Sequence, residues 1–184
     1  TGTLGYGFGD EALARGMSLN PAVIAVDAGS TDPGPHYLGS GKPLVSDVSI
    51  KRELTALISA GQKAGIPVIV GSVGGAGSGV QVDRTAALVR EIAKENGLKL
   101  KLATIRSDIA IERAKRAVAA GEVIDFEAGH PLTQEALDQT VTLVAQMGHE
   151  PICEALDAGA DVIIAGRACD DSVIAAYSIW KGAD

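Results

Sequence analysis

Ala22-Val23-Ile24-Ala25-Val26 is an unbroken apolar run, and it passes directly into Asp27-Ala28-Gly29-Ser30-Thr31-Asp32-Pro33-Gly34-Pro35. Continuous β-branched and small apolar residues are typical of a parallel strand that is buried on both faces. The carboxylates, hydroxyls, glycines and prolines that follow favour a turn. Because ligands of open α/β sheets bind outside the carboxyl ends of the strands, this stretch predicts both a fold class and a first candidate site.

Three more apolar runs predict strands, and the segments between the runs have helical periodicity. The predicted strands are residues 22–26, 67–70, 98–105 and 161–165, and the predicted helices are residues 10–18, 49–64, 83–96, 108–120, 133–147, 151–158 and 171–181. Asp83 and Thr133 are the expected N-terminal caps of their helices. The alternation predicts an open, mostly parallel twisted sheet with helices on both faces, which is a Rossmann-like three-layer α/β fold.

Length and composition limit the classes of protein. A chain of 184 residues is long enough for one well-cored domain and short for two, so we expect a single α/β domain over residues 1–184. Both ends read as interrupted elements, which predicts the N-terminal part of a longer protein. The net charge of -7 and the lack of a basic patch argue against nucleic acid as a partner. No apolar run reaches bilayer length, so no membrane partner is expected.

The loop after residue 26 is the first candidate site. Asp27 and Asp32 are two carboxylates close in sequence, which suits either a general base with a partner or oxygen ligands for a divalent metal. Ser30 and Thr31 offer hydroxyls that could orient a substrate oxygen. The structural alternative is an Asx-turn, in which Asp27 and Ser30 accept hydrogen bonds from nearby backbone N–H groups.

A glycine-rich segment at residues 71–79 is the second candidate site. Gly71, Ser72, Gly74, Gly75 and Gly77 follow a predicted strand and precede a predicted helix, where free backbone N–H groups can bind a phosphate or carboxylate. The segment lacks the Lys-Ser/Thr of a P-loop and the spacing of the dinucleotide fingerprint, so neither an NAD nor a P-loop nucleotide signature is present. The alternative interpretation is a flexible surface loop.

The third candidate site follows the last predicted strand. Arg167 could bind a carboxylate or phosphate through two hydrogen bonds, Asp171 could cap the next helix, and Asp170 would then be free for a ligand or for an ion pair with Arg167. Cys169 reads as a small buried thiol rather than a nucleophile, since no base accompanies it. Cys153 and Cys169 form neither a disulfide framework nor a metal spacing, which favours a reducing cytoplasm.

The remaining polar and aromatic residues are weaker candidates for a functional site. His36, His130 and His149 each lie in a loop rich in proline or glycine, without metal-ligand spacing, and are interpreted as solvated residues. His36 is the one that lies close in sequence to Asp27 and Asp32. Residues 5–9 alternate glycine with Tyr6 and Phe8, a pattern that fits either a loop close to a ligand or a structural turn.

Several short motifs in order give the chain a family resemblance. They are Leu-Gly-Tyr-Gly-Phe at 4–8, the string at 27–35, Tyr-Leu-Gly-Ser-Gly at 37–41, Gly-Ser-x-Gly-Gly-Ala-Gly at 71–77, Met-Gly-x-Glu-Pro at 147–151 and Ala-Gly-Arg-Ala-Cys-Asp at 165–170. This order resembles the acyclic terpene utilisation AtuA-like family, a family of largely unknown biochemical function. The resemblance implies bacterial catabolism of acyclic terpenes such as citronellol and geraniol, alongside operons that handle branched acyl-CoA carboxylation.

Together these observations predict a cytoplasmic catabolic enzyme of the lyase, hydrolase or isomerase type. Its partner would be a small anionic substrate or an acyl-CoA, with Asp27 or Asp32 as base or metal ligand and Arg167 with the glycine-rich segment on the anionic end. A homo-oligomer and a divalent metal are further open expectations. The competing hypothesis is a non-catalytic acyl-CoA-binding or accessory subunit of a carboxylase pathway.

Overall fold

The computed structural model describes residues 3–125 and 129–183 of the chain. Their central feature is a sheet of four parallel strands, β1 (Ile24–Gly29), β2 (Val68–Gly75), β3 (Leu102–Ile105) and β4 (Val162–Ala165). The strands lie in the order β1-β2-β4-β3. The prediction of a parallel α/β sheet is confirmed, and the register places Val68 opposite both Ile24 and Val162.

Helices cover both faces of this sheet. In the described residues they are α1 (Asp10–Ser18), α2 (His36–Ser40), α3 (Asp47–Ala64), α4 (Gly79–Glu95), α5 (Ile111–Ala119), α6 (Gln134–Asp138), α7 (Glu150–Asp157) and α8 (Asp170–Trp180). Alternate residues of β2 point to opposite layers: Val68 and Val70 pack in one apolar cluster with α3 and α4, and Ile69 packs in another with α7 and α8. The three-layer prediction therefore holds.

The start of α4 differs from the prediction. The helix begins at Gly79 rather than at Asp83, because Ser78 and Gln81 provide the N-terminal capping box and the Ser78 N–H donates to Gln81 Oε1 at 3.1 Å. Asp83 lies inside the helix and forms an ion pair with Arg106. The glycine at position 79 made this turn look like loop in the sequence.

The helix predicted over residues 133–147 is mostly wrong. Thr133 does cap a helix, since its Oγ1 accepts from the Ala136 N–H at 3.1 Å, but α6 ends at Asp138. The following residues instead run along the loops after β3 and β4, where Ala145 N–H donates to the Ser107 carbonyl and Met147 N–H to the Arg167 carbonyl. Tertiary hydrogen bonds override the local helical pattern here.

Smaller differences concern element ends. β2 continues through Gly75, so most of the glycine-rich segment is strand, and β3 begins at Leu102 rather than at residue 98. The short helix α2 was not predicted. Across the residues that the structure describes, the helices all fall short of the length and apolar character that crossing a bilayer demands.

Candidate functional site

The order of the strands brings three loops together at the carboxyl end of the sheet. β2 connects through α4 to β3, whereas β4 leads into α8, which packs back against β1 and β2 on the opposite face. The neighbouring strands β2 and β4 therefore leave the sheet in opposite directions. Such a topological switch point opens a crevice, and ligands of α/β sheets bind there.

The last residues of β1 and the loop that follows are shaped by their own side chains. Asp27 Oδ1 accepts a hydrogen bond from the Gly29 N–H at 2.8 Å, and Ser30 Oγ accepts one from the Asp32 N–H at 3.3 Å. The Ser30 N–H donates to the Gly75 carbonyl at 2.9 Å and so attaches the loop to β2. The Asx-turn considered as an alternative is therefore present, but it occupies one oxygen of Asp27 and leaves Thr31 and Asp32 exposed.

A polar pocket of about 510 Å³ lies between this loop and the loop after β4. Its lining residues are Thr3, Tyr6, Gly29, Ser30, Thr31, Asp32, Arg167 and Asp170. The first and third candidate sites thus share one pocket, although their residues are more than 130 positions apart in the sequence. Among the lining residues that the structure describes, Asp32 and Asp170 are negative and Arg167 alone is positive.

Asp27 lies half-buried in the second half of β1 and is not itself among the residues that line this pocket, although Gly29 and Ser30, which follow it, are. Burial raises the pKa of the Asp27 carboxyl, the Gly29 N–H lowers it, the charge of Asp170 raises it and the Arg167 guanidinium lowers it. The net direction is upward, so burial and Asp170 outweigh the two groups that favour the carboxylate. A carboxyl with a raised pKa is a better proton acceptor once it is ionised.

The glycine-rich segment is packed rather than open. Residues 71–75 and 77–79 are buried, so the segment is not the flexible surface loop of the alternative interpretation. A Cβ at Gly74 would lie 2.6 Å from the Gln81 side chain, one at Gly75 would lie 2.8 Å from Leu44, and those at Gly71 and Gly77 would overlap Val173 and the Arg167 backbone. These glycines let neighbouring elements approach closely, and their proposed contact with an anion stays a prediction.

Two buried serines join the segment to the loop that carries Arg167. Ser72 Oγ donates to the Ala168 carbonyl and accepts from the Ala168 N–H, both at 3.1 Å. Ser107 Oγ accepts from the Arg167 N–H at 2.7 Å and donates to the Gly77 carbonyl at 2.9 Å. Sequence reasoning missed Ser107, although its place two residues after β3 is a strand-end signal of the kind used for the other loops.

The loop after β4 differs in detail from the prediction. Cys169, and not Asp171, occupies the N-cap position of α8, and Asp170 and Asp171 lie in the first turn, where the helix dipole favours negative charge. The Arg167 guanidinium Nη1 donates to the Gly75 carbonyl at 3.4 Å. Both cysteines are free thiols, and burial followed by the charges of Asp157 and Glu150 raises the pKa of Cys153.

The other candidates lie elsewhere. His36 begins α2 and makes an edge-to-face contact with Tyr37, outside the lining of the polar pocket. Within residues 3–125 and 129–183, no three His, Cys, Asp or Glu side chains converge in a metal-binding arrangement. The hypothesis that Asp27 and Asp32 are metal ligands therefore rests on the sequence alone and stays a prediction.

An apolar groove of about 620 Å³ runs beside β1. It lies between α1 and α8, and its lining residues are Phe8, Ala12, Leu13, Gly16, Met17, Pro21, Val23, Ile24, Ala25 and Ile174. Residues 3–8 thus contribute Thr3 and Tyr6 to the polar pocket and Phe8 to this apolar groove. Sequence reasoning identified the segment as loop but did not predict the groove.

Comparison with known proteins gives one match. The family model described as acyclic terpene utilisation family protein AtuA matches residues 46–182. The matched range contains the glycine-rich segment, Ser107, Arg167 and Asp170, and it begins after the loop of residues 27–35. No curated protein and no solved structure matches the chain. The chain belongs to the acyclic terpene utilisation family AtuA.

Proposed function

We propose that the polar pocket binds a small carboxylate or an acyl-CoA during the breakdown of acyclic terpenes or branched-chain compounds, and that Asp27 acts there as a general base. The observation that carries the proposal is the convergence of Ser30, Thr31 and Asp32 with Arg167 and Asp170 on one pocket. Membership of the family supports the substrate class, and the geometry supports the division of roles.

Arg167 is the group that would hold the anionic or carbonyl end of the ligand. Its backbone is fixed by Ser107 and by the Gly77 carbonyl, which accepts from the Arg167 N–H at 3.1 Å. Within the described part of the chain its guanidinium has one long bond, to the Gly75 carbonyl at 3.4 Å, and keeps further N–H donors for a ligand. A planar guanidinium presents paired donors to a carboxylate, which a lysine would not.

Asp27 would remove a proton from the carbon next to the ligand carbonyl, or activate a water for hydrolysis. Its raised pKa suits a base, and Ser30 and Thr31 can donate hydrogen bonds to the ligand oxygen. Proton removal next to a carbonyl is the opening step of lyase and isomerase reactions. A divalent cation, if the reaction uses one, would be held through the carboxylate oxygens of Asp27 and Asp32.

The charges near the pocket decide how an anion can enter. Asp27, Asp32 and Asp170 outnumber Arg167, the one positive side chain in the described pocket lining, so these acids repel an incoming carboxylate. Because the pKa of Asp27 is already raised, this acid is the one expected to take up a proton when an anion binds. A thioester carbonyl carries no charge and avoids this cost, which favours the acyl-CoA over the free acid.

The first experiment is a binding measurement with three chemically related ligands. Isothermal titration calorimetry with isovaleryl-CoA, isovalerate and free CoA should give tightest binding for the thioester. Arg167→Gln should weaken that binding by about tenfold or more, because a charge-assisted hydrogen bond is lost. Arg84→Gln is the matched control, since Arg84 pairs with Asp47 outside the pocket lining. Equal affinity in the two variants would remove Arg167 from the proposal.

The second experiment separates an enzyme from a binding subunit. In D2O, wild-type protein should exchange the α-hydrogens of isovaleryl-CoA for deuterium, as followed by mass spectrometry. Asp27→Asn should slow this exchange by about 10²–10⁴-fold while binding persists, which is the usual share of a general base. Binding without any exchange or turnover by the wild type would favour the alternative, a non-catalytic acyl-CoA-binding or accessory subunit.

The cellular setting belongs to the same proposal. Two free cysteines fit a reducing cytoplasm, and we propose that the protein works there. A homo-oligomer is part of the proposal as well, to be checked by light scattering on the purified protein.

A further inference from the structure

Glu53 is a buried carboxylate that neither the fold nor the proposed chemistry explains. It lies on α3 between apolar positions and is 3% exposed, and among the described residues it is the one acidic side chain buried to this degree. Its neighbour in sequence, Leu54, is fully buried in the apolar cluster. Burying a carboxylate at an apolar position costs far more free energy than burying a leucine there. This cost indicates that Glu53 holds another part of the structure in place.

The partner of Glu53 is the backbone of the N-terminal segment. Glu53 Oε2 accepts a hydrogen bond from the Gly5 N–H at 2.7 Å, across 48 residues of sequence. Glu53 Oε1 is buried without a hydrogen-bond partner among the described residues, and the guanidinium of Arg52, itself 71% exposed, lies 3.7 Å away. The single strong bond of this carboxylate is therefore directed at Gly5.

Gly5 occupies a position that only glycine fits. Its φ is +94°, and a Cβ there would overlap the Val45 side chain. On its N-terminal side, Leu4 is buried in the apolar cluster and its N–H donates to the Asp27 carbonyl at 3.3 Å. The bond from Glu53 therefore fixes the segment at the point where it passes the end of β1.

This segment forms walls of two cavities. Thr3 and Tyr6, two and one residues from Gly5, line the polar pocket, and Phe8 lines the apolar groove. Tyr6 is 67% exposed and so gains little from packing of its own. Its position depends on how the backbone at Gly5 is held.

We propose that Glu53 is a positioning residue, whose carboxylate holds Gly5 and thereby sets the wall that residues 3–8 form between the polar pocket and the apolar groove. The part of this inference that concerns ligands rests on the proposed function. The anchoring of the segment does not, because it concerns the free protein.

Hydrogen exchange of the free protein tests the anchoring. Glu53→Leu keeps the site apolar and filled but removes the acceptor, so amide exchange across residues 4–8 should become about tenfold faster or more. Glu53→Gln retains an oxygen acceptor for the Gly5 N–H and should stay within about threefold of wild type. Ile58→Val, a mild core change on the same helix, is the control and should leave the segment unchanged. The proposal is overturned if the amides of residues 4–8 exchange as slowly in Glu53→Leu as in wild type. It is also overturned if Ile58→Val speeds their exchange as much as Glu53→Leu does.

Binding of isovaleryl-CoA then tests the consequence for the pocket, at a temperature where all variants are folded. Glu53→Leu should bind about tenfold more weakly than wild type, with rescue in Glu53→Gln and no change in Ile58→Val. Loosened residues 4–8 with undiminished binding would overturn the role in the pocket. If the wild type binds none of the three ligands, the proposed function fails, and the exchange data alone decide whether Glu53 anchors Gly5.

Discussion

The loop after β1 and the glycine-rich segment of β2 look alike in sequence and are opposites in the structure. Both contain glycine and serine, and both lie at the carboxyl end of a parallel strand. In the first, Thr31, Asp32 and Gly34 are exposed and the polar side chains face a pocket. In the second, residues 71–75 are buried and the glycines are in contact with Val173, Gln81 and Leu44.

This difference separates residues proposed to act on a ligand from residues that stabilise the fold. Glycine in the β1 loop allows a turn, whereas the glycines of residues 71–77 allow α4, α8 and the loop after β4 to approach the sheet. Among the residues that the structure describes, the Ser30 hydroxyl bonds within its own loop, whereas the hydroxyl of Ser72 joins two loops. Substitutions in residues 71–77 should therefore act on stability, and substitutions in the β1 loop on ligand binding and turnover.

The sharpest contrast is between Gly77 and Gly34. Both have φ of +73°, but an added Cβ at Gly34 meets nothing within 4 Å, whereas at Gly77 it overlaps the Arg167 backbone and lies 2.7 Å from the Gly166 carbonyl carbon. Gly77→Ala should lower the free energy of unfolding by about 3 kcal/mol or more, from backbone strain and overpacking together. Gly34→Ala should cost about 1 kcal/mol, from strain alone. Urea denaturation measures both, and similar losses would contradict the division.

The serines provide a second, smaller contrast. Ser72→Ala removes a hydroxyl that bonds both to the N–H and to the carbonyl of buried Ala168, so the free energy of unfolding should fall by about 2–3 kcal/mol. Ser30→Ala should change it by less than about 0.5 kcal/mol, since its hydroxyl bonds are long and solvated. The comparison fails if thermal or urea unfolding ranks Ser30→Ala as the more damaging change.

The fold was predictable because its signals are local. Each of the four strands begins in a predicted apolar run, including the half-buried edge strand β3, and α1 and α3 end where the helical pattern stops, at Ser18 and Ala64. The predictions failed where long-range hydrogen bonds determine the conformation of the backbone. Residues 139–147 follow a helical pattern but pair with the loops after β3 and β4, through groups such as the Ser107 and Arg167 carbonyls.

The candidate site was predictable in its parts but not in its arrangement. Strand-end position pointed to Asp32 and Arg167, which do share a pocket. Nothing local distinguishes a glycine that faces a ligand from one that faces Val173, since that depends on how α8 packs. Glu53 was missed for the same reason, because it acts through Gly5, 48 residues away, whereas the strand-end position of Ser107 was a usable signal.

The smallest expected effect concerns the charge of Asp27, the residue where the β1 loop meets the buried sheet. Its pKa in the folded protein is raised above the ordinary value of 3.8, chiefly by burial, so ionisation weakens the fold. Stability contributed by the neutral acid is complete below pH 3.8 and is lost as pH rises through the folded-state pKa. Asp27→Asn keeps an acceptor for the Gly29 N–H without the charge. It should therefore stabilise the protein at pH 7, by at most about 1 kcal/mol because a half-exposed group is screened by water.

The pH dependence of the stability of Asp27→Asn distinguishes the effect of the Asp27 charge from that of its hydrogen bond. Urea unfolding of wild type and Asp27→Asn should give a gain at pH 7 that shrinks towards zero as the pH is lowered to 3.8, while Asp32→Asn, on the exposed part of the loop, should show no such gain at pH 7. A loss of stability in Asp27→Asn that is independent of pH would mean that its hydrogen bond, not its charge, dominates. Asp27 would then belong with Ser72 on the supporting side of the comparison, and a base for the reaction would have to be sought at Asp32.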